Sequence, residues 1–133
     1  LAEQFLMGAK SVVIVEDEPE TADMLVEMMR LIGFQTYACL TGLKAVDLIA
    51  EKKPSTILLD QMMPELSGLD VLQSLRLDPS LRHIPVIIVS AKSLPADMKR
   101  GLEAGAAYYL TKPVSFADLK SAVEAVTSYS PEN

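Results

Sequence analysis

The chain has a single cysteine, Cys39, and a single histidine, His83. One thiol forms no intrachain disulfide, and one of each cannot make the Cys/His set of a zinc site, so disulfide miniproteins and zinc modules are excluded. A lone thiol suits a reducing, cytoplasmic compartment, and Cys39 is expected simply to pack. His83 lies in a proline-bounded connection and reads as a solvated loop residue rather than a relay. No apolar run approaches the ~20 residues that cross a bilayer, and no basic start precedes a long apolar stretch, so no membrane contact is expected. Basic residues are few: Lys+Arg 12 against Asp+Glu 18 gives a net charge of −6, which repels phosphate backbones and speaks against direct nucleic-acid binding. Repeats, linkers and low-complexity segments are missing too.

What is present is one domain's worth of chain, 133 residues with 50% apolar and 23% charged side chains, enough to bury a real core. Residues 1–9 read as a leading extension, 10–129 as the domain and 130–133 as a tail. Strand-length apolar runs occur at Val12–Val15, Ile57–Leu59 and Val86–Val89, with weaker ones at Gln35–Cys39 and Tyr108–Leu110. Between them lie helical spacings: Met24, Leu25, Met28 and Leu31, then Ala45, Leu48 and Ile49, then Leu69, Leu72 and Leu75. A fourth helix near Pro95–Ala104 is poorly patterned, with Met98 and Leu102 able to face inward and Gly101 and Gly105 weakening it; it is the helix most able to move. A fifth carries Phe116, Leu119, Val123 and Val126, with Ser115 as N-cap and Asp118 three residues on. Gly33, Pro54 and Gly105 supply stops. Five β-α units imply right-handed crossovers and a parallel sheet covered on both faces: an α/β, doubly wound sandwich.

In such a sheet the carboxyl ends of the strands share a crevice. Here they carry Glu16-Asp17, Asp60, Ser90 and Lys112-Pro113. Converging carboxylates would repel by about 4 kcal/mol per pair at ~4 Å and an effective dielectric near 20, so a cation is expected. Oxygen ligation by few protein groups suits Mg²⁺ (or Mn²⁺) beside a phosphate, and Lys112 adds a fixed positive charge. A carboxylate so held, with a hydroxyl nearby, is built to receive a phosphoryl group at Asp60. Any one of these residues alone would read as a solvated strand cap; four loaded ends together do not.

From about Lys10 to Tyr129 the sequence resembles a response-regulator receiver domain of two-component signalling. The resemblance rests on Val13-Ile14-Val15-Glu16-Asp17-Glu18, on Leu58-Leu59-Asp60-Gln61-Met62-Met63-Pro64 with Gly68, on Val89-Ser90-Ala91, and on Ala104-Gly105-Ala106 leading to Tyr109-Leu110-Thr111-Lys112-Pro113. It implies a flavodoxin-like, CheY-like sheet in the order 2-1-3-4-5, with Asp60 as phosphoacceptor and Glu16 and Asp17 as the acidic pair holding Mg²⁺. It also implies the Met62 main-chain carbonyl as a further ligand, Ser90 as switch hydroxyl, Lys112 as phosphate-binding lysine, Tyr109 as the aromatic that turns inward, and a cis peptide before Pro113. The partners implied are a sensor histidine kinase or histidine phosphotransfer protein, docking near Glu20, Asp23 and Glu27 of the first helix, and a downstream protein read through the fourth helix, fifth strand and fifth helix. A homodimer through that same face is compatible with the resemblance. Activity is limited to self-catalysed gain and loss of the phosphoryl group, without a turnover substrate.

Some positions depart from the pattern. Glu16 stands where Asp is frequent, and Met62 and Lys92 occupy two positions that flank the attacking water. An apolar Met62 cannot orient that water, so slow loss of the phosphoryl group is expected, while Lys92 either pairs with it or faces solvent. Spacing from Lys112 selects Tyr109 over Tyr108, which reads as a packed or partner-facing ring. The final helix lacks the basic pattern common before a DNA-binding effector, so a small stand-alone regulator or a receiver from a longer chain is expected. A flavin module is disfavoured because Glu16-Asp17-Glu18-Pro19 would repel a phosphate. A haloacid-dehalogenase-like hydrolase is disfavoured because it needs an acid at Met62. A receiver that only binds is disfavoured by the intact Asp60, Lys112 and acidic pair.

Overall fold

Five apolar strands and the helices between them organise residues 10–127, the part that the computed structural model describes. The readings of residues 1–9 and of the 130–133 tail lie outside the described residues. The order is β1 (Lys10–Val15), α1 (Pro19–Ile32), β2 (Phe34–Cys39), a 3₁₀ turn (Gly42–Lys44), α2 (Ala45–Lys52), β3 (Thr56–Leu59), α3 (Gly68–Leu77), β4 (Val86–Ser90), α4 (Pro95–Glu103), β5 (Tyr108–Thr111) and α5 (Phe116–Thr127). All pairings are parallel and the sheet order is β2-β1-β3-β4-β5, as expected.

Period-two alternation along the strands feeds two separate cores. Val13, Val15, Ile57, Leu59, Val86 and Ile88 pack toward α2, α3 and α4, through Ala45, Ile49, Val71, Leu72 and Leu75. Val12, Ile14, Leu58, Ile87 and Val89 face the other way, against Leu25 and Met29 of α1 and Leu119, Ala122 and Val123 of α5. The central strands are buried on both faces, which is why they read as unbroken apolar runs.

The helical stripes differ from the sequence expectation in detail. In α1 the core face is Ala22, Leu25 and Met29, while Met24 is 40% and Leu31 75% exposed. Two stripes of the same period run along this helix, and the β1–α1 junction, which spacing does not encode, selects between them. In α4 Met98 packs on the core, but Leu102 is exposed and the inward positions are Asp97 and Gly101. Gly101 does not weaken this helix so much as let it approach: a Cβ there would lie 2.8 Å from Ile88 Cδ1 and 2.9 Å from Tyr109 Cδ2. In α5 Phe116 is exposed and Ala122 takes the buried place, while Ser115 caps as expected, its Oγ accepting from the Asp118 N–H at 3.0 Å. A full capping box opens α3, where Ser67 Oγ accepts from Asp70 N–H and Asp70 accepts from Ser67 N–H.

At the amino edge of the sheet Arg76 of α3 ties two strand entrances together. Its Nη1 donates to the carbonyls of Arg82 (2.8 Å) and Ile84 (3.3 Å), just before β4, and its Nη2 to that of Gly105 (2.9 Å), just before β5. Burial holds its pKa below the usual arginine value. Cys39 is buried and donates its thiol to the Thr41 carbonyl at 3.1 Å. His83 is exposed in the connection before β4, and no helix among the described residues is long and apolar enough to cross a membrane.

Candidate functional site

Register places the site. Val15 pairs with Leu59, and Asp60 N–H donates to the Val15 carbonyl at 2.9 Å, so Glu16 and Asp60 leave neighbouring strands at one level. Ser90 pairs with Thr111, and Lys112 N–H donates to the Ser90 carbonyl at 2.9 Å. The chain turns back after each of these residues, and the peptide between Lys112 and Pro113 is cis.

Lys112 Nζ lies 2.7 Å from Glu16 Oε1, 3.2 Å from Asp60 Oδ2 and 3.8 Å from Glu18 Oε1. Glu16 and Asp60 are buried, at 1% and 4% exposure, and Asp17 is half-buried. Glu16 Oε2 accepts from Glu18 N–H at 3.2 Å, and Oε1 has the Lys112 ammonium as its ion partner. Asp60 Oδ1 accepts from Met62 N–H at 3.0 Å and Oδ2 from Lys112 Nζ. Gly68 is required beneath it: its N–H donates to the Gln61 carbonyl, and a Cβ would run into the Asp60 carbonyl oxygen.

Burial pushes the Glu16 carboxyl above its ordinary range; Lys112 opposes this and the Asp60 charge adds to it. Burial works to lower the Lys112 pKa, but the Glu16 and Asp60 carboxylates outweigh it and hold the ammonium above its usual value. The two directions agree physically: one ammonium stays charged among more negative charge than it can balance. Oxygens of Glu16, Asp17 and Asp60 lie within 4.8 Å of one another, close enough to converge on one cation. Three carboxylates facing a single ammonium, an all-oxygen donor set, fit a hard divalent ion.

Ser90 is fully buried, its Oγ accepting from Lys92 N–H at 3.2 Å. Tyr109 points into the α2–α3–α4 side of the core at 7% exposure, its hydroxyl 2.7 Å from Gln61 Oε1 and 2.8 Å from the Lys92 carbonyl oxygen, between which it shares one proton. Burial pushes its phenol above the ordinary value; Asp97 and Asp60 push the same way, Ser90 and Arg100 against. Tyr108 is on the opposite side of β5 and 41% exposed, as strand alternation requires.

A family model for the response regulator receiver domain matches residues 12–124. The chain belongs to the response regulator receiver domain family. This receiver domain is 38% identical over 120 residues to the polar-differentiation response regulator DivK of Brucella anthropi, covering 90% of this chain and 95% of that protein. It is similar in structure to the signal receiver domain of a signal transduction histidine kinase from Syntrophus aciditrophicus, with TM-score 0.84, 35% identity and coverage of 94% and 95% of the two chains. A second neighbour is the receiver domain of a sensor histidine kinase from Pseudomonas aeruginosa PAO1, which has a magnesium ion coordinated in its active site cleft; there the TM-score is 0.84, the identity 26%, and the coverage 91% and 99%. Its role lies in two-component signalling, as a receiver.

Within the receiver domain, Glu16, Asp17, Asp60 and Lys112 are brought together, with Ser90 on the neighbouring strand and Tyr109 behind it. Met62 is half exposed and lines, with Gln61, Met63, Pro64, Ser67 and Lys92, a cleft of about 410 Å³. Gln61 was not among the residues the sequence singled out. Its signal was a polar side chain next to Asp60 in a segment that must return over the sheet, and it is only 5% exposed.

Proposed function

We propose that this receiver domain accepts a phosphoryl group on Asp60 from the phosphohistidine of a sensor histidine kinase or histidine phosphotransfer protein. The observation that carries the reading is Asp60 itself, buried at the end of β3 with Lys112 Nζ at 3.2 Å and two further carboxylates beside it. In the transfer, an Asp60 carboxylate oxygen forms the new O–P bond as the P–N bond to the donor imidazole breaks, and the electron pair of that bond leaves on the imidazole.

Glu16, Asp17, Asp60 and the Met62 carbonyl would hold Mg²⁺, and Mn²⁺ by the same oxygen chemistry. When bound, the ion supplies charge neutralisation for the acidic trio and the incoming phosphoryl oxygens. Lys112 takes a phosphoryl oxygen in place of part of its contact with Asp60 and Glu16. Ser90, whose hydroxyl accepts from Lys92 N–H, would donate its proton to another. The cleft beside Met62 and Lys92 admits the donor and later the water. The exposed acids Glu20, Asp23 and Glu27 beside Met24 on α1 offer the donor a docking face, and the α4–β5–α5 face presents the result to a downstream protein. Chemistry stops at gain and loss of the phosphoryl group, in a chain working in the cytoplasm.

Intact mass after incubation with Mg²⁺ and a small acyl phosphate tests this. One phosphoryl addition is expected, absent in Asp60→Asn and in a chelated control; addition that persists in Asp60→Asn would refute the assignment.

A further inference from the structure

Two adjacent methionines just beyond β3 meet opposite environments. Met63 is 9% exposed and belongs to the core on the α2–α3–α4 side, where a Cβ added at Gly42 would lie 3.4 Å from Met63 Cε. Met62 is 50% exposed, against 40% for Met24 and 0% for Met29, and it lines the cleft beside Asp60. Met28 and Met98 are half-buried, so Met62 is the most accessible of the described methionines. Its own N–H donates to Asp60 Oδ1 at 3.0 Å, and the side chain therefore springs from a residue tied to that carboxylate. Oxidation of a thioether requires access to its sulfur, which Met62 offers and Met63 does not.

Few side-chain acceptors line this cleft, and those present are engaged. Gln61 Oε1 accepts from the Tyr109 hydroxyl at 2.7 Å, Ser67 Oγ donates to Asp70 Oδ2 and accepts from Asp70 N–H, and the Lys92 ammonium can only donate. Met63 and Pro64 bring no strong acceptor. The Met62 thioether is a weak one, but a sulfoxide at the same place carries a strongly polar oxygen on a side chain of nearly the same length. One added oxygen thus gives the cleft an acceptor beside Asp60.

We infer that Met62 is an oxidation site whose sulfoxide shortens the life of the phosphoryl group on Asp60, so that this lifetime answers to peroxide. The effect on lifetime rests on Asp60 being the phosphoacceptor. In the modifying step the sulfur lone pair attacks one oxygen of hydrogen peroxide and forms the S–O bond as the O–O bond breaks. The departing hydroxide takes the proton from the transferred oxygen and leaves as water; sulfur is oxidised by two electrons and the peroxide is reduced by two. A methionine sulfoxide reductase reverses the change. The new oxygen accepts a hydrogen bond from a water in the cleft and orients it toward the phosphorus, which the thioether cannot do.

The test treats the full chain with dilute hydrogen peroxide, quenches it and maps the added oxygen by peptide mass. The chain then receives Mg²⁺ and acyl phosphate, and after removal of the donor the loss of the phosphoryl mass is followed with time. Met62 should gain one oxygen well before Met29 and Met63. The oxidised chain should lose its phosphoryl group about fivefold to tenfold faster than the untreated one, the effect of one hydrogen bond to the attacking water. Reductase treatment should restore the slower loss. Met62→Leu keeps Cys39 and every other methionine, so its rate of loss should not respond to peroxide. Oxidation of Met63 ahead of Met62, an unchanged or slower loss once Met62 is oxidised, or an equal response in Met62→Leu overturns the inference. A wild type that gains no phosphoryl group before any peroxide treatment refutes the phosphoacceptor reading and the lifetime effect with it, while the oxygen map still decides whether Met62 is the modified site.

Discussion

Replacing Asp60 with asparagine should stabilise the metal-free protein, although it removes a contact to Lys112. At an effective dielectric near 20, the attraction lost over 3.2 Å is about 5 kcal/mol. The repulsion relieved comes from Glu16 and Asp17, whose oxygens lie within 4.8 Å of Asp60, at least about 3 kcal/mol for each pair. Asp17 is half-buried and screened, so the net gain is about 1–2 kcal/mol. Urea denaturation at pH 7 in low salt with a chelator reads this as a midpoint raised by about 1 M, given m near 1–3 kcal/mol/M. Added Mg²⁺ should close the gap, because a ligand at 100 times its Kd stabilises the wild type by about 2.7 kcal/mol and finds one ligand fewer in the variant. An Asp60→Asn protein less stable than wild type in chelator would refute the reasoning, since it would mean that Lys112 alone balances the site.

Met62→Asn should shorten the life of the phosphorylated state by about fivefold to tenfold, the effect of one hydrogen bond to the attacking water, followed as loss of the phosphoryl mass with time. Ser67→Ala should cost about 1 kcal/mol in the same urea assay, because it removes the cap of α3 without touching the core. Tyr109 should ionise above the ordinary phenol value of 10.0 in an ultraviolet titration of the folded protein, with Tyr109→Phe identifying its step. With a raised folded pKa the native state binds the proton more tightly, so this contribution to stability is complete below pH 10 and is lost as pH climbs through the folded value. Tyr109→Phe should flatten that alkaline loss.

The sheet was legible because β1, β3 and β4 are buried on both faces and so appear as unbroken apolar runs, and because turn residues bracket them. The site was legible for the same reason: a polar residue ending an apolar strand is visible without coordinates. The helices were less so. Ala22 and Gly101 face the core as small residues where the periodicity of large ones pointed elsewhere, and Leu31, Leu102 and Phe116 satisfy a helical period while facing solvent. Gln61 escaped notice because its importance is a contact across 48 positions of sequence with Tyr109, which composition and spacing do not register. The Ser67-Asp70 box follows a local rule visible in Ser67-Gly68-Leu69-Asp70, yet it too was not picked out from the sequence.

The two edges of the sheet answer to different conditions. At one, Arg76 spends its charge on the carbonyl dipoles of Arg82, Ile84 and Gly105, an arrangement with little to lose when ions crowd the solvent. At the other, Glu16, Asp17, Asp60 and Lys112 form an uneven set of full charges, sensitive to every cation or anion that enters. Metal and phosphate therefore bear on the carboxyl edge, where full charges are gathered, while Arg76 holds the entrances of β4 and β5 through neutral carbonyls, so the strands are anchored at the end away from the ions.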